Sequence, residues 1–154
     1  MIYLDSSALV KLVRLEDGSN ALQEWLDERA DELQVTSELA RAEVVRAVRR
    51  AAHTDRGDLI DSVALTELLG EAAEVLAAVA QVVVDRDVLD CAGDLSSPMI
   101  RTLDAIHLVS AAGWDPPDVQ FVTYDVRLAT AARGAGMTVT APADPPVAGS
   151  PSAR

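Results

Sequence analysis

Aromatic residues, cysteine and long apolar runs are all scarce in this chain, and each scarcity argues against a class of binding site or structure. Phe, Trp and Tyr together make up 3% of the 154 residues. That is too few for the stacked aromatic platforms on which many proteins bind single-stranded nucleic acid. The single cysteine, Cys91, cannot form an intramolecular disulfide and is too little for a zinc site. We therefore expect Cys91 to be a small buried apolar side chain.

The sequence also predicts no membrane segment and no targeting segment. Nowhere do about 18 apolar residues follow one another without interruption, which is the length that a membrane helix needs. The chain starts directly with a strand-like segment and reaches an acid at position 5, so no signal peptide is expected. The expected location is the cytoplasm.

The composition is that of one acidic globular domain. Hydrophobic residues make up 49% of the chain, and its length suits a single domain with a sizeable core. The formal net charge of −12 argues against nucleic-acid binding, unless bound cations neutralise part of it. Four arginines, however, fall within ten residues: Arg41, Arg46, Arg49 and Arg50. They form either a basic group or an ordinary solvated helix face with intrahelical ion pairs.

Strand and helix patterns alternate along residues 1–140, which predicts one α/β domain with a parallel sheet covered on both faces. Strands are predicted at Ile2–Leu4, Leu33–Thr36, Val82–Val84, Gln120–Tyr124 and Met137–Thr140. Helices are predicted at Ser7–Leu15, around Trp25, from Ser37 through Glu43, from Leu59 to about Ala80, at Val88–Leu95, around Asp104 and at Val126–Gly134. Gly70 could divide the fourth helix. Residues 141–154 are rich in Pro, Ala, Gly and Ser, which predicts a flexible tail.

Two acids follow predicted strands. Asp5 comes directly after the first strand, and Asp125 ends the segment Gln-Phe-Val-Thr-Tyr-Asp. In open α/β sheets, ligands bind beyond the carboxyl ends of the strands. Each of these acids could instead cap the helix that follows it, since Asp is a favoured N-cap.

Two further acids lie inside predicted helices. Asp104 interrupts an apolar run, where a carboxylate needs a partner, a proton or a metal. A hydrogen bond to His107, one turn on, would be the structural explanation. Glu43 lies between an apolar face and the arginines, and an ion pair with Arg46 would explain it equally well. Carboxylates are also the hard oxygen ligands that Mg²⁺ and Mn²⁺ prefer.

Together the segments around the four acids resemble the PIN-domain family, and most closely its VapC branch, the ribonuclease toxins of bacterial toxin–antitoxin pairs. The segments are Tyr3-Leu-Asp5-Ser6-Ser7, Ala40-Arg-Ala-Glu43-Val-Val-Arg46, Leu103-Asp104-Ala-Ile-His107-Leu and Thr123-Tyr-Asp125-Val-Arg-Leu-Ala129. Each segment alone is a weak signal, but the four occur in order along nearly the whole chain. The resemblance implies a three-layer α/β/α sandwich with a mostly parallel central sheet.

By position, the resemblance makes Asp5, Glu43, Asp104 and Asp125 an acidic quartet that binds Mg²⁺, with Mn²⁺ as a substitute, and hydrolyses RNA. Asp5 and Asp104 would be the primary ligands. Ser6 corresponds to the Ser or Thr beside the first acid and would orient a ligand or water. The resemblance further implies a VapB-like antitoxin partner and a homodimer.

Two other functions stay open at this stage. An inactive PIN module would act through protein contacts alone, although such a module is expected to lack one or more acids. A phosphoaspartyl phosphatase or a receiver-like domain would also place an Asp after the first strand. The phosphatase needs a second acid where this chain has Ser7, and the receiver needs an acidic pair and a late lysine that this chain does not have.

Overall fold

The structure, a computed structural model, describes residues 1–97, 99–114 and 116–144, and it shows a parallel five-stranded sheet with helices on both faces. The strands are β1 Ile2–Leu4, β2 Gln34–Ser37, β3 Ala80–Val82, β4 Gln120–Val122 and β5 Thr138–Thr140. The helices are α1 Ser6–Val13, α2 Ser19–Asp27, α3 Leu39–Ala51, α4 Ser62–Ala78, α5 Arg86–Gly93, α6 Thr102–Ala112 and α7 Val126–Gly134. A short 3₁₀ turn, Pro116–Asp118, precedes β4.

The strands lie in the order β3-β2-β1-β4-β5, with every pair parallel. The chain therefore builds the sheet outward from β1 in one direction, then returns and builds it outward on the other side. The reversal falls between β1 and β4, where Ile2 pairs with Gln120. Such a reversal point is where ligands bind in open α/β sheets.

Two hydrophobic cores, one on each face of the sheet, make the protein a three-layer sandwich. Alternate residues of β1 point to opposite faces, as the pleat of a strand requires. Ile2 and Leu4 pack with buried residues of α1–α4, such as Leu22 and Val44. Tyr3 packs instead with residues of α6 and α7, such as Leu108 and Leu128, on the opposite face. The predicted α/β/α architecture is confirmed.

Three details of the sequence prediction are wrong. Gly70 does not divide α4, because the helix continues unbroken and other residues supply its buried face. The third strand is Ala80–Val82 rather than the β-branched run Val82–Val84, because pairing with β2 ends at Val82. Cys91 is exposed rather than buried, since α5 turns that face toward solvent.

The described part of the predicted tail, 141–144, lies against α2. Helix α2 begins after Gly18, which has no side chain to cap the helix. The Asp144 carboxylate takes that role, accepting the N–H groups of Gly18 at 2.6 Å and Ala21 at 3.0 Å. The Tyr124 hydroxyl donates to the Pro142 carbonyl at 2.8 Å. The predicted boundary at residue 140 stays a prediction, and residues 145–154 lie outside the described residues.

No helix in the described ranges combines the length and the hydrophobicity needed to cross a membrane.

Candidate active site

The reversal point of the sheet brings two of the four acids together. Asp5 directly follows β1, and its N–H donates to the Val122 carbonyl at the end of β4. Asp125 lies three residues beyond that end and begins α7. Because β1 and β4 are parallel neighbours, both side chains lie at the carboxyl edge of the sheet.

Asp5 is a buried carboxylate held by three hydrogen bonds, and only 3% of its surface is exposed. Its Oδ1 accepts from the Ser7 hydroxyl at 2.7 Å and from the Ala8 N–H at 2.9 Å, so it caps α1. Its Oδ2 accepts from the Thr123 hydroxyl at 2.5 Å. Burial raises the pKa of Asp5, although these hydrogen bonds and His107 oppose the rise. The side chain is therefore held in a fixed position, but its hydrogen bonds and His107 offset only part of the cost of burying its charge.

Thr123 links the first acid to the last. Its hydroxyl donates to Asp5, and the same oxygen accepts the N–H of Asp125 at 3.1 Å. Asp125 caps α7 through Oδ1, which accepts the N–H groups of Arg127 at 2.7 Å and Leu128 at 3.1 Å. The backbone N–H of Leu128 is the main cause of the lowered pKa of Asp125. Asp5 and Asp125 therefore each cap a helix, as the alternative interpretation expected. The Oδ2 atom of Asp125 takes no part in its capping bonds.

Glu43 reaches the site from the first half of α3. Its Oε2 accepts from the Ser6 hydroxyl at 2.5 Å and lies 2.8 Å from Nε2 of His107. Ser6 lies 3.1 Å from the same nitrogen, so the three groups form a closed cluster. Burial would raise the pKa of Glu43, but the contacts with His107 and Ser6 outweigh it and lower the pKa. Glu43 is therefore held as a carboxylate.

Asp104 joins the site from the first turn of α6. Burial raises its pKa, and the charges of Asp125 and Glu43 raise it further, while Arg101 and His107 lower it. Arg101 also lowers the pKa of Asp125. The acids from α3, α6 and the start of α7 therefore lie close enough to repel one another.

Both structural explanations for the two helix acids are wrong. Asp104 forms no hydrogen bond with His107, whose ring bonds to Glu43, Ser6 and Tyr3 instead. Nor does Glu43 pair with Arg46, because the salt bridges in the described part of the chain give Glu43 only His107 as a partner. Neither acid is therefore explained by the neighbour on its own helix.

The donor chemistry of the four acids fits a hard divalent cation. Asp104 accepts no hydrogen bond from the described residues, Asp125 uses only Oδ1, and Glu43 uses only Oε2. Oxygens thus remain for Mg²⁺ or Mn²⁺, which favour carboxylate ligands. Among the described residues, no group of three or more His, Cys, Asp or Glu side chains is arranged closely enough to hold a metal ion. Burial raises the pKa of Asp104 most, and the charges of Asp125 and Glu43 add to the rise; this repulsion among carboxylates works against such a closed arrangement.

A groove of about 790 Å³ opens from Glu43 along α3, and its walls carry arginines. Arg46, Arg49 and Arg50 line the groove and are exposed. They form the exposed helix face that was one of the two interpretations, but none of them takes part in a salt bridge with another described residue, so the expected intrahelical ion pairs are wrong. Arg41 lines a different groove, beside α4.

Three residues in or near the site had no site role in the sequence prediction. Ser7 and Tyr3 each bond to a member of the site, and Arg101 lies near two acids. A signal existed for Tyr3, because a hydroxyl inside a buried strand needs a polar partner. No local signal marks Arg101, since its nearness to Asp125 depends on how α6 and α7 pack.

Comparison with known proteins identifies the family of the chain. A family model described as the PIN domain matches residues 2–134. The chain belongs to the PIN-domain family.

Within that family, the chain is similar to several proteins of Mycobacterium tuberculosis. It is 39% identical over 144 residues to Ribonuclease VapC35 of strain H37Rv, with 92% of this chain and 97% of the relative covered. It is 42% identical over 141 residues to Ribonuclease VapC46, at the same coverage. It is 32% identical over 151 residues to Ribonuclease VapC47 of strain CDC 1551, again at 92% and 97%.

Proposed function

We propose that this protein is a Mg²⁺-dependent endoribonuclease and the toxin of a VapBC-type toxin–antitoxin pair. The observation that supports the proposal is a set of links between acids of separate elements: Thr123 bonds to both Asp5 and Asp125, and the charges of Asp125 and Glu43 add to the raised pKa of Asp104, which burial raises most. Repulsion between neighbouring acids costs stability, and a bound cation would relieve it. The names of the similar proteins, all ribonucleases, agree with this chemistry.

The four acids would hold the metal, with Asp5 and Asp104 as the primary ligands. A bound Mg²⁺ supplies a nucleophilic water at neutral pH and neutralises charge that develops on the phosphate oxygens. Ser7, Ala8 and Thr123 already hold the Asp5 carboxylate in one position, so metal binding would require no further loss of side-chain freedom there. Glu43 and Asp125 would complete the site with their uncommitted oxygens, Oε1 and Oδ2.

Ser6 would orient Glu43 rather than attack the substrate. Its hydroxyl is committed to Glu43 at 2.5 Å, and the bonds from His107 and Ser6 together outweigh the effect of burial and lower the pKa of Glu43. A charged Glu43 can bind the cation or accept a proton from a water molecule near it. The proposed role of Ser6 is thus to place a carboxylate.

The arginine groove would carry the RNA backbone to the acids. The protein as a whole is strongly acidic, so nonspecific attraction to phosphate is weak. Arg46, Arg49 and Arg50 give one local exception, and their groove includes Glu43. Because arginine binds phosphate in a bidentate manner, a track of three would align the strand before it reaches the metal.

Mapping the new 5′ ends after incubation with total RNA tests the nuclease proposal directly. We expect discrete new ends in the presence of Mg²⁺ and none after chelation with EDTA. Asp104→Asn is the matched control, because it is nearly isosteric and removes one proposed ligand. New ends of equal intensity in EDTA, or from Asp104→Asn, would count against the proposal.

The partner proposal concerns an antitoxin that blocks the acidic site. A cationic side chain, such as Arg, could replace the charge of the metal and exclude RNA. The net charge of −12 would also attract a basic inhibitory segment. We expect expression of this chain alone to arrest growth, and co-expression of a small neighbouring protein to relieve the arrest. Unaffected growth with the active wild type would refute the toxin role and leave the nuclease role standing.

The homodimer and the cytoplasmic location stay proposals of the same kind. A dimer would carry two acidic sites, and sedimentation equilibrium of the purified chain measures its mass directly. Cell fractionation with an antibody against the chain tests the location.

A further inference from the structure

A line of hydrogen bonds runs from the buried core to Glu43. The Tyr3 hydroxyl lies 2.9 Å from Nδ1 of His107, and Nε2 of the same ring lies 2.8 Å from Oε2 of Glu43. Tyr3 is fully buried and His107 is 2% exposed, so neither has a solvent alternative. The line joins three separate elements, β1, α6 and α3.

Packing holds the inner end of this line in place. The Tyr3 ring stacks on Phe121 of the neighbouring strand, with centroids 5.0 Å apart and an angle of 18° between the planes. It meets His107 edge-on at 6.0 Å and 79°. The Tyr3 hydroxyl is therefore aimed at His107 by two ring contacts rather than by its hydrogen bond alone.

The donors along the line can be assigned from the charge at its outer end. An ionised carboxylate only accepts hydrogen bonds, so the contact with Glu43 is a hydrogen bond only while Nε2 of His107 carries the hydrogen. In the neutral ring, Nδ1 then has a lone pair and accepts, which makes the Tyr3 hydroxyl its donor. Burial raises the pKa of Tyr3, so the phenol keeps the proton that this bond needs.

We propose that Tyr3 and His107 are positioning residues for Glu43: Tyr3 fixes the Nε2–H tautomer of His107, and that N–H holds Oε2 of Glu43. The inference rests on the proposed function, since it gives Glu43 its role at the site. Because Ser6 and His107 both occupy Oε2, Oε1 is the oxygen left to face the cation or a water. Partners of a ligating side chain of this kind change metal affinity or activity by about 10- to 100-fold when they are removed.

The tautomer of His107 can be read directly by long-range ¹H–¹⁵N correlation NMR of the wild type without RNA. The chain has two histidines, so His53→Gln assigns the signals. We expect a protonated Nε2 and an unprotonated Nδ1 for His107 at pH 7.5. A protonated Nδ1 overturns the inference, whether the ring is the other tautomer or charged.

Tyr3→Phe removes the phenol hydroxyl while keeping the stacked ring. We expect His107 to become a mixture of tautomers, and kcat for RNA to fall by about 10-fold with KM changed less than about 2-fold. Tyr124→Phe is the matched control, because Tyr124 is the other tyrosine and its hydroxyl bonds to Pro142 instead. It should keep the wild-type tautomer and kcat. A wild-type tautomer in Tyr3→Phe, with or without loss of kcat, overturns the role of Tyr3.

A pair of substitutions at His107 separates positioning from packing. His107→Gln can still donate from a side-chain N–H to Glu43, whereas His107→Leu fills the space without a donor. We expect the Gln variant to retain at least about 10-fold more kcat than the Leu variant. Equal kcat in two variants with wild-type circular dichroism overturns the role of His107. Absence of RNA cleavage by the wild type would refute the nuclease proposal, while the NMR result would still decide the tautomer.

Discussion

Asp104 and Asp125 lie close enough for the charge of one to raise the pKa of the other. They come from different helices, and Arg101, the residue before α6, lowers the pKa of both. The repulsion between the two acids destabilises the fold, and the proposed cation would relieve it. That effect can be measured.

Asp104→Asn should raise the melting temperature of the metal-free protein and abolish the rise that Mg²⁺ produces in the wild type. The substitution removes one of the repelling charges and one proposed ligand, and ligand binding stabilises only the state that binds it. Thermal unfolding with EDTA and with Mg²⁺ measures both effects. An unchanged Mg²⁺ response would remove Asp104 from the set of ligands.

Relative to the wild type, the metal-free Asp5→Asn variant should gain stability as the pH rises above the ordinary pKa of an aspartate. Burial raises the pKa of Asp5 above its value in the unfolded chain, so folding favours the protonated carboxyl. The stability that this carboxyl contributes is present below the unfolded pKa, and it is lost as the pH rises through the folded pKa. Urea unfolding of both proteins at several pH values measures the difference, and a difference independent of pH would contradict the expectation.

Asp5→Asn and Asp104→Asn should each eliminate RNA cleavage, while Glu43→Gln and Asp125→Asn should be strongly impaired but retain a trace. The first pair are the proposed primary ligands, and the second pair complete the site. Cleavage of total RNA and far-UV circular dichroism are measured on the same preparations. Asp31→Asn, at an exposed position after α2, serves as the control and should cleave normally. Full activity in either of the first two variants would refute the two-carboxylate core of the mechanism.

The double variant Arg49→Ala, Arg50→Ala should bind RNA more weakly and depend less on salt than the wild type. Each phosphate of a single strand that an arginine no longer neutralises lowers the slope of log K against log salt by about 0.7, so two such phosphates lower it by about 1.4. Fluorescence anisotropy in EDTA, where the RNA stays intact, measures the slope. Arg133→Ala removes an exposed arginine from the last turn of α7 and should leave the slope unchanged. If the double variant has the same slope as the wild type, the RNA does not bind in the arginine groove.

Asp144→Ala should lower the free energy of unfolding by about 1 kcal/mol, the usual cost of losing an N-cap side chain. For a domain of this size that is a fall of about 3 °C in melting temperature. Hydrogen exchange of the Gly18 and Ala21 amides should accelerate, because Asp144 is their hydrogen-bond acceptor. Asp144→Asn keeps an acceptor oxygen and should lose less. Unchanged exchange in the Ala variant would show that the bonds from Asp144 contribute nothing to α2.

The sequence predicted the parts of this protein that depend on local pattern. The first strand, Ile2–Leu4, and the last helix, Val126–Gly134, have the predicted bounds, because apolar residues and an Asp cap mark both directly. Cys91 was wrongly predicted to be buried, since residue type gives only an average burial and α5 exposes that position.

Within the candidate site, the sequence named the acids but not what holds them. Asp5 and Asp104 were found because an acid after a strand or within an apolar run is locally conspicuous. The bond from His107 to Glu43 joins residues that lie 64 positions apart. The cap that Asp144 gives to α2 spans 126 positions. Such pairs are set by how whole elements pack, and no local pattern encodes them.

The pairing of β1 with β4 has a consequence for synthesis of the protein. Ile2 pairs with Gln120, and Asp5 receives its bond from Thr123, so the centre of the sheet joins distant parts of the chain. A growing polypeptide on the ribosome therefore carries its first acid early but cannot build the site until translation has passed residue 125. Stalled ribosome–nascent-chain complexes that end before β4 should leave added RNA intact. The order of the strands thus delays formation of the candidate site until β4 and the start of α7 have been synthesised.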